Sequence, residues 1–154
     1  MLTLDENSGR LEEIIKEQGS LASVIKGVSM RPLLKTDRDV IIVSALTGDL
    51  KKYDVPLYKV GKKYVLHRII GVDKEKRIYI IRGDNTYKKE YVPFDAVIGC
   101  LTSFNRCGKH YSVSHFGYRA YARFWHFIYP FRYMYVTLKS RLRALLRRLF
   151  RKGH

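Results

Sequence analysis

Residues 63–72, KYVLHRIIGV, are one of several short runs that decide the fold class of this chain. The run is rich in Val, Ile and Tyr, which favour β-strands. Similar runs surround it, separated by turn-forming sequences such as TGD, VGKK and GDNTYKKE; they span residues 21–28, 39–46, 54–60, 77–83 and 95–106. Short strands at this spacing predict a mainly β body, a folded antiparallel sheet or barrel.

Helical patterns flank this body on both sides. Residues 1–19 predict a short N-terminal helix, with Ser8 as its N-cap and Gly19 at its end. Residues 115–154 are aromatic, basic and helical in period. The chain therefore divides into an N-terminal helix, a β domain over residues 20–110 and a basic C-terminal helical arm over residues 115–154.

The net charge of +16 is concentrated in the C-terminal part of the chain. Residues 1–95 hold 18 Lys and Arg against 14 Asp and Glu, whereas residues 96–154 hold 12 Lys and Arg and no carboxylate. This asymmetry is typical of a body with a basic arm, whose partners are anionic lipid or nucleic acid. The two cysteines fit neither a disulfide framework nor a zinc site, and we expect no metal or other cofactor.

The arm combines its charge with an apolar stripe. Pro130 indicates a break, and five leucines then follow at helical spacing, with Lys and Arg on the other faces: Leu138, Leu142, Leu145, Leu146 and Leu149. Such a helix is amphipathic, and it is an appendage to the β body without a core of its own.

The stretch KGVSMRPLL, residues 26–34, is the first candidate for chemistry. Ser29 is either an ordinary turn residue or a nucleophile, and a serine hydroxyl needs a base within hydrogen-bond reach to react. His67 is the one histidine within the β body, and Asp84 follows directly on an apolar strand in IRGDN. The two are candidates for a general base and its orienting carboxylate. A buried core histidine and an Asx turn are the structural alternatives.

Three sequence boxes, in this order, resemble those of the signal peptidases and the repressor-cleaving serine peptidases. GVSMRPLL is similar to the serine box, the segment ending in LHRII to the segment that carries the base, and IRGDN to the Gly-Asp-Asn box. FDAVIGCLTSFNRCGK resembles the closing strand of that family. A His where the bacterial leader peptidases carry Lys aligns the chain with the endoplasmic-reticulum and archaeal type.

The resemblance implies a serine endopeptidase that cleaves a signal or leader peptide from a precursor. Ser29 would be the nucleophile, His67 the general base and Asp84 the orienting carboxylate. The substrate would bind extended beside the segment before Ser29. The oxyanion and substrate-binding residues would then be Gly27, Val28, Ser29 and Met30, with Met30 packed beneath the site.

Some assignments within this site are open in the sequence. Arg68 could pair with Asp84, and His67 would then lack Asp84 as its orienting carboxylate. Glu90 and Asp95 lie nearby in sequence as alternative carboxylates. Gly27 has no side-chain hydroxyl, so the oxyanion site must rely on the backbone or another donor.

Signal peptidases carry a membrane-spanning helix before the serine box, and this chain has a short acidic helix there. We therefore expect the arm to attach the protein peripherally to an anionic membrane surface. The expected contacts are Trp125, Leu138, Leu142, Leu145, Arg147 and Arg148. An arm packed on the β body and an arm that binds nucleic acid are the alternatives.

Two other functions are compatible with parts of the pattern. A self-cleaving repressor relative would need an N-terminal DNA-binding domain, for which the sequence before the serine box offers no room. A non-enzymatic module would use the arm to bind membrane or nucleic acid and keep an inactive peptidase-like body. Loss of the serine or the histidine would be its simplest sign, and both are present.

Overall fold

The computed structural model describes residues 11–61 and 63–151. In chain order its elements are α1 (Leu11–Gln18), β1 (Ser20–Val24), β2 (Asp39–Ser44), β3 (Pro56–Val60), β4 (Lys63–Leu66), β5 (Arg68–Asp73), β6 (Ile78–Arg82), β7 (Glu90–Pro93), β8 (Val97–Arg106), β9 (Lys109–Ser112), α2 (Phe116–Phe127) and α3 (Tyr129–Arg151). The predicted mainly β fold, with a short N-terminal helix and a helical C-terminal part, is confirmed.

Two antiparallel sheets make up the body. The first has the strand order β1-β2-β8-β3-β4, with β9 also paired to β8, and the second has the order β5-β6-β7. The larger core lies against the first sheet and includes Leu11 and Ile15 of α1. A smaller core, around Tyr58, Ile69 and Ile81, lies where the second sheet meets the first.

The run over residues 63–72 is continuous in sequence but not in structure. It forms β4 in the first sheet and β5 in the second, and His67 is the residue between them. The chain therefore crosses from one sheet to the other at His67. The strands β7 and β9 were not among the predicted runs, because each is only four residues long and directly follows a turn sequence.

The ends of the helices follow local rules. Gly19 has a φ of 73°, a left-handed conformation that glycine adopts without strain, and α1 ends just before it. The predicted N-cap Ser8 lies outside the described residues. The break expected near Pro130 falls at Ile128, and Pro130 occupies the first turn of α3, where its missing N–H does no harm.

The helical arm has a part that faces the body and a part that does not. In α2, Ala122 is buried and Tyr118, Tyr121 and Trp125 are half-buried. From Met134 to residue 147, every side chain that the structure describes is exposed except Thr137. Among the described residues, no helix combines the length and the hydrophobicity that crossing a bilayer requires.

Candidate active site

The candidate site lies at the junction of the two sheets. Ser29 belongs to the turn that follows β1, and His67 is the crossing residue between β4 and β5. A loop after β6, residues 83–85, lies against both of them, and Glu90 opens β7. Residues that are distant in sequence therefore meet because the chain changes sheets at His67.

Ser29 and His67 form the hydrogen bond that a serine nucleophile needs. The Oγ atom of Ser29 lies 2.8 Å from Nε2 of His67. Only 1% of Ser29 and 2% of His67 are exposed, whereas Val28, which precedes Ser29, and Asn85, which lies beside Ser29 in space, are exposed. The pair is thus shielded from bulk water directly beneath the surface.

Tyr58 and Glu90 decide which nitrogen of His67 carries the proton. The Tyr58 hydroxyl donates its single proton to Oε2 of Glu90 at 2.6 Å, and its oxygen lies 3.1 Å from Nδ1 of His67. Oε1 of Glu90 lies 3.2 Å from the same nitrogen. Both neighbours of Nδ1 are therefore acceptors, so Nδ1 holds the proton and Nε2 offers a lone pair to Ser29.

The pKa values of these groups agree with that arrangement. Burial lowers the pKa of His67 below its ordinary value of 6.5, and the Glu90 carboxylate partly opposes this shift. Burial and the hydrogen bond to Glu90 raise the pKa of Tyr58, which keeps its proton at neutral pH. His67 is therefore neutral near pH 7 and able to accept the proton of Ser29.

The carboxylate beside His67 is Glu90 and not Asp84, which corrects the position expected from the sequence. Asp84 binds Arg68 through two hydrogen bonds of 2.7 Å, and Tyr121 donates to it at 3.2 Å. The pairing with Arg68, one of the alternatives in the sequence, thus occupies the Asp84 carboxylate. Asp84 acts on His67 only through its charge, as one of the weaker influences that raise the pKa of the ring.

The loop after β6 fits tightly under the pair. A Cβ atom added to Gly83 would lie 2.7 Å from the carbonyl oxygen of Ser29 and 3.1 Å from Nε2 of His67. The N–H of Asn85 donates to that same carbonyl oxygen at 2.7 Å. The Gly-Asp-Asn sequence therefore supplies a close approach at Gly83 and a hydrogen bond at Asn85.

The residues around Ser29 form a structured turn. Gly27 has a φ of 106°, and its carbonyl accepts from the Thr36 hydroxyl at 2.7 Å. The Val28 carbonyl accepts from the N–H of Arg31 at 3.2 Å. Met30 is fully buried in the larger core, beneath the site as predicted. These bonds fix the backbone on either side of Ser29, whose N–H is the expected oxyanion donor.

The residues expected at a membrane are divided between two environments. Trp125 does not face outward, because its indole N–H donates to the Asp84 carbonyl at 2.8 Å. This part of the expectation is corrected, and α2 follows the alternative of a helix packed on the body. Leu138, Leu142 and Arg147 are exposed on α3, and the side chains of Leu145 and Arg148 lie outside the described part of the structure.

Tyr58 is the residue of this site that the sequence did not reveal. It is fully buried in β3, where it resembles any other core tyrosine. Its hydroxyl needs a buried partner, which is a weak signal for a polar network. Glu90 was visible only as one of several nearby carboxylates.

Comparisons with known proteins add nothing to the geometry. No protein-family model matches this chain, and no curated protein matches it. Over residues 11–61 and 63–151, no group of three or more His, Cys, Asp or Glu side chains is placed to hold a metal ion. The resemblance to the signal peptidases therefore stays a prediction from the three sequence boxes.

We expect Gly83→Ala to suppress the reactivity of Ser29. The added Cβ meets a backbone oxygen and an imidazole ring, which cannot move aside without separating the pair. The rate of Ser29 labelling by a fluorophosphonate should fall by about tenfold or more. Gly71→Ala is the matched control, since its Cβ meets only the Ile80 side chain, at 3.3 Å. Equal labelling rates in the two variants would contradict the tight fit.

The reactivity of Ser29 should also follow the protonation of His67. The rate should be maximal at neutral pH and fall on acidification through a midpoint below 6.5, because burial lowers the pKa of His67. Glu90→Gln removes a charge that raises this pKa, so the midpoint should move further toward acid. The rate at pH 7 should also drop by roughly 10- to 100-fold. Asp95→Asn, at an exposed carboxylate, should leave the profile unchanged, and a profile unaltered by Glu90→Gln would remove Glu90 from the site.

Proposed function

We propose that this protein is a serine endopeptidase in which Ser29 is the nucleophile and His67 the general base. The observation that carries the proposal is the 2.8 Å contact between Ser29 Oγ and His67 Nε2, with Nδ1 held by two acceptors. A buried serine hydrogen-bonded to an oriented, neutral histidine is the arrangement that activates a hydroxyl for attack on a carbonyl.

The reaction follows from these contacts. His67 Nε2 takes the proton as Ser29 Oγ attacks the scissile carbonyl carbon, and the imidazolium is stabilised by Glu90 at Nδ1. The C–N bond breaks as His67 returns the proton to the leaving amine, and an acyl-enzyme remains on Ser29. Water, deprotonated by His67, then attacks the ester carbonyl carbon, and the bond from that carbon to Ser29 Oγ breaks as His67 returns the proton to Oγ. The carboxylic acid is released, and both side chains are restored.

The substrate class comes from the resemblance. The three boxes support a signal or leader peptide with small side chains just before the cut. β1, which ends at Val24 ahead of the turn that holds Ser29, is the terminal strand of the first sheet in the described strand order, so an extended peptide can be added beside β1. We propose a precursor peptide as the substrate, bound as an added strand.

We also propose that α3 attaches the enzyme peripherally to an anionic membrane. Phe131, Met134, Leu138, Leu142 and Leu146 recur at spacings of three or four residues and are between 44% and 66% exposed. Basic side chains that are also exposed occupy the other faces: Lys139, Arg141, Arg143 and Arg147. Each basic residue near an anionic surface contributes about 1 kcal/mol. The apolar stripe favours lipid over nucleic acid, because a continuous row of exposed, mainly aliphatic side chains suits a lipid surface better than bases.

The proposed activity is tested by removing the nucleophile and the base one at a time. Ser29→Ala should abolish fluorophosphonate labelling, and His67→Ala should slow it by at least about 10³-fold. Ser44→Ala is the control that should label normally, because it removes a hydroxyl on β2 whose partner is Thr102 and not a residue of the site. With a library of leader-like peptides, wild-type protein should cut after small side chains and Ser29→Ala should not. Cleavage by the Ser29→Ala variant would refute the assignment.

Membrane attachment is tested with vesicles of phosphatidylcholine and phosphatidylglycerol. The double substitution Leu138→Asp and Leu142→Asp should weaken co-sedimentation by about 10- to 100-fold, because each leucine loses its apolar contact with lipid. Leu46→Asp is the matched control, since Leu46 is an exposed leucine of the body, 37% accessible. Salt should weaken the binding of the unaltered protein. Equal binding of the control and the double variant would exclude α3 as the attachment.

A further inference from the structure

One peptide group connects the catalytic serine to the helical arm. The N–H of Asn85 donates to the carbonyl oxygen of Ser29 at 2.7 Å. The carbonyl of Asp84 belongs to the same peptide group and points to the arm, where it accepts from Trp125 at 2.8 Å and from Arg132 at 3.1 Å. A peptide group is planar and stiff, so its two ends move together.

The arm side of this connection is built from mutually supporting contacts. The guanidinium of Arg132 lies 3.9 Å from the centre of the Trp125 ring, and Trp125 stacks on Tyr121 with ring centres 5.7 Å apart. Tyr121 in turn donates to the Asp84 carboxylate at 3.2 Å. Three arm residues thus converge on one residue of the loop beneath the site.

The serine side is equally constrained. Gly83 abuts the Ser29 carbonyl and the His67 ring so closely that no Cβ fits there. The side-chain amide of Asn85 also donates to the Val28 carbonyl at 3.3 Å. A rotation of the peptide group between Asp84 and Asn85 would therefore shift the backbone of Ser29 relative to His67.

We propose that Trp125 and Arg132 are positioning residues for Ser29 and act through the peptide group between Asp84 and Asn85. This inference rests on the proposed function, since it concerns the geometry of the proposed nucleophile. The arm is then part of the catalytic apparatus as well as an attachment. Its two donors fill both acceptor positions of one carbonyl and hold the N–H on the other end toward Ser29.

The test uses full-length variants that remove one donor each. Trp125→Phe keeps an aromatic ring between Tyr121 and Arg132 but loses the N–H, and Arg132→Gln loses the stacked guanidinium. Tyr133→Phe is the matched control, because it removes one polar group from an exposed ring of the same arm. The measurement is fluorophosphonate labelling of Ser29 as a function of probe concentration, together with the thermal unfolding midpoint.

We expect the limiting labelling rate of Trp125→Phe and Arg132→Gln to fall by about tenfold, with the half-saturating probe concentration unchanged. The double variant should lose less than the product of the two single losses, because both donors act on one carbonyl. Tyr133→Phe should label like the unaltered protein. A purely structural role would lower the unfolding midpoint and would not separate the limiting rate from half-saturation.

The outcomes separate this inference from the proposed function. An unaltered protein that is not labelled at Ser29 would overturn the peptidase and the inference together. Normal labelling of the unaltered protein and of both folded variants would overturn the inference alone and leave the peptidase standing. If both variants have lower unfolding midpoints and their losses of labelling rate are no larger than that instability explains, the positioning role is also overturned.

Discussion

The buried ion pair between Arg68 and Asp84 is the interaction on which the rest of this structure depends. Its two hydrogen bonds of 2.7 Å tie the first residue of β5 to the loop after β6, and Arg68 also donates to the Tyr118 hydroxyl of α2 at 3.1 Å. Removing one partner of such a pair costs about 3–5 kcal/mol, because the other charge is left buried alone. Burial alone would lower the pKa of Arg68, but Asp84 more than offsets this effect and the guanidinium stays charged. The second sheet, the loop and the arm are therefore held by one cation.

The pair also explains why the site contains two carboxylates with different roles. His67 and Arg68 are consecutive, and consecutive side chains of an extended chain point in opposite directions. One short segment therefore directs the imidazole toward Ser29 and the guanidinium toward Asp84. With Asp84 engaged by Arg68, the Nδ1 side of His67 is left to Glu90 and Tyr58. The charge that compensates the buried arginine and the charge that orients the histidine come from separate residues.

The strand pattern of the sequence predicted the fold class, and the three boxes predicted the contact between Ser29 and His67. The crossing at His67 could not be predicted, because KYVLHRIIGV reads as one strand and pattern carries no information on which sheet each half joins. Glu90 could not be singled out from the other nearby carboxylates, because its position depends on the path of the seven residues between β6 and β7. The position of Trp125 could not be predicted from the sequence for a different reason. Aromatic residues interleaved with arginine suit both a lipid surface and a stacked contact on the body, and only packing separates the two.

The basic and aromatic residues of the arm pack on the body in its first part and are exposed in its later part. Residues 96–154 contain no carboxylate, so every anionic partner of the arm must come from the rest of the body or from outside. Near the body, arginine and aromatic residues satisfy one another: Arg132 stacks on Trp125, and Arg82 of β6 lies 3.2 Å from the centre of the Tyr129 ring. From Met134 to residue 147 the described side chains are exposed except Thr137, so the body does not cover their charge or their apolar surface. Since Arg132 lies in the first turn of α3, a surface that binds this helix would hold the same helix whose first turn contacts the loop beneath Ser29. Under the two proposals, α3 would then serve both for membrane attachment and for positioning Ser29 through Arg132.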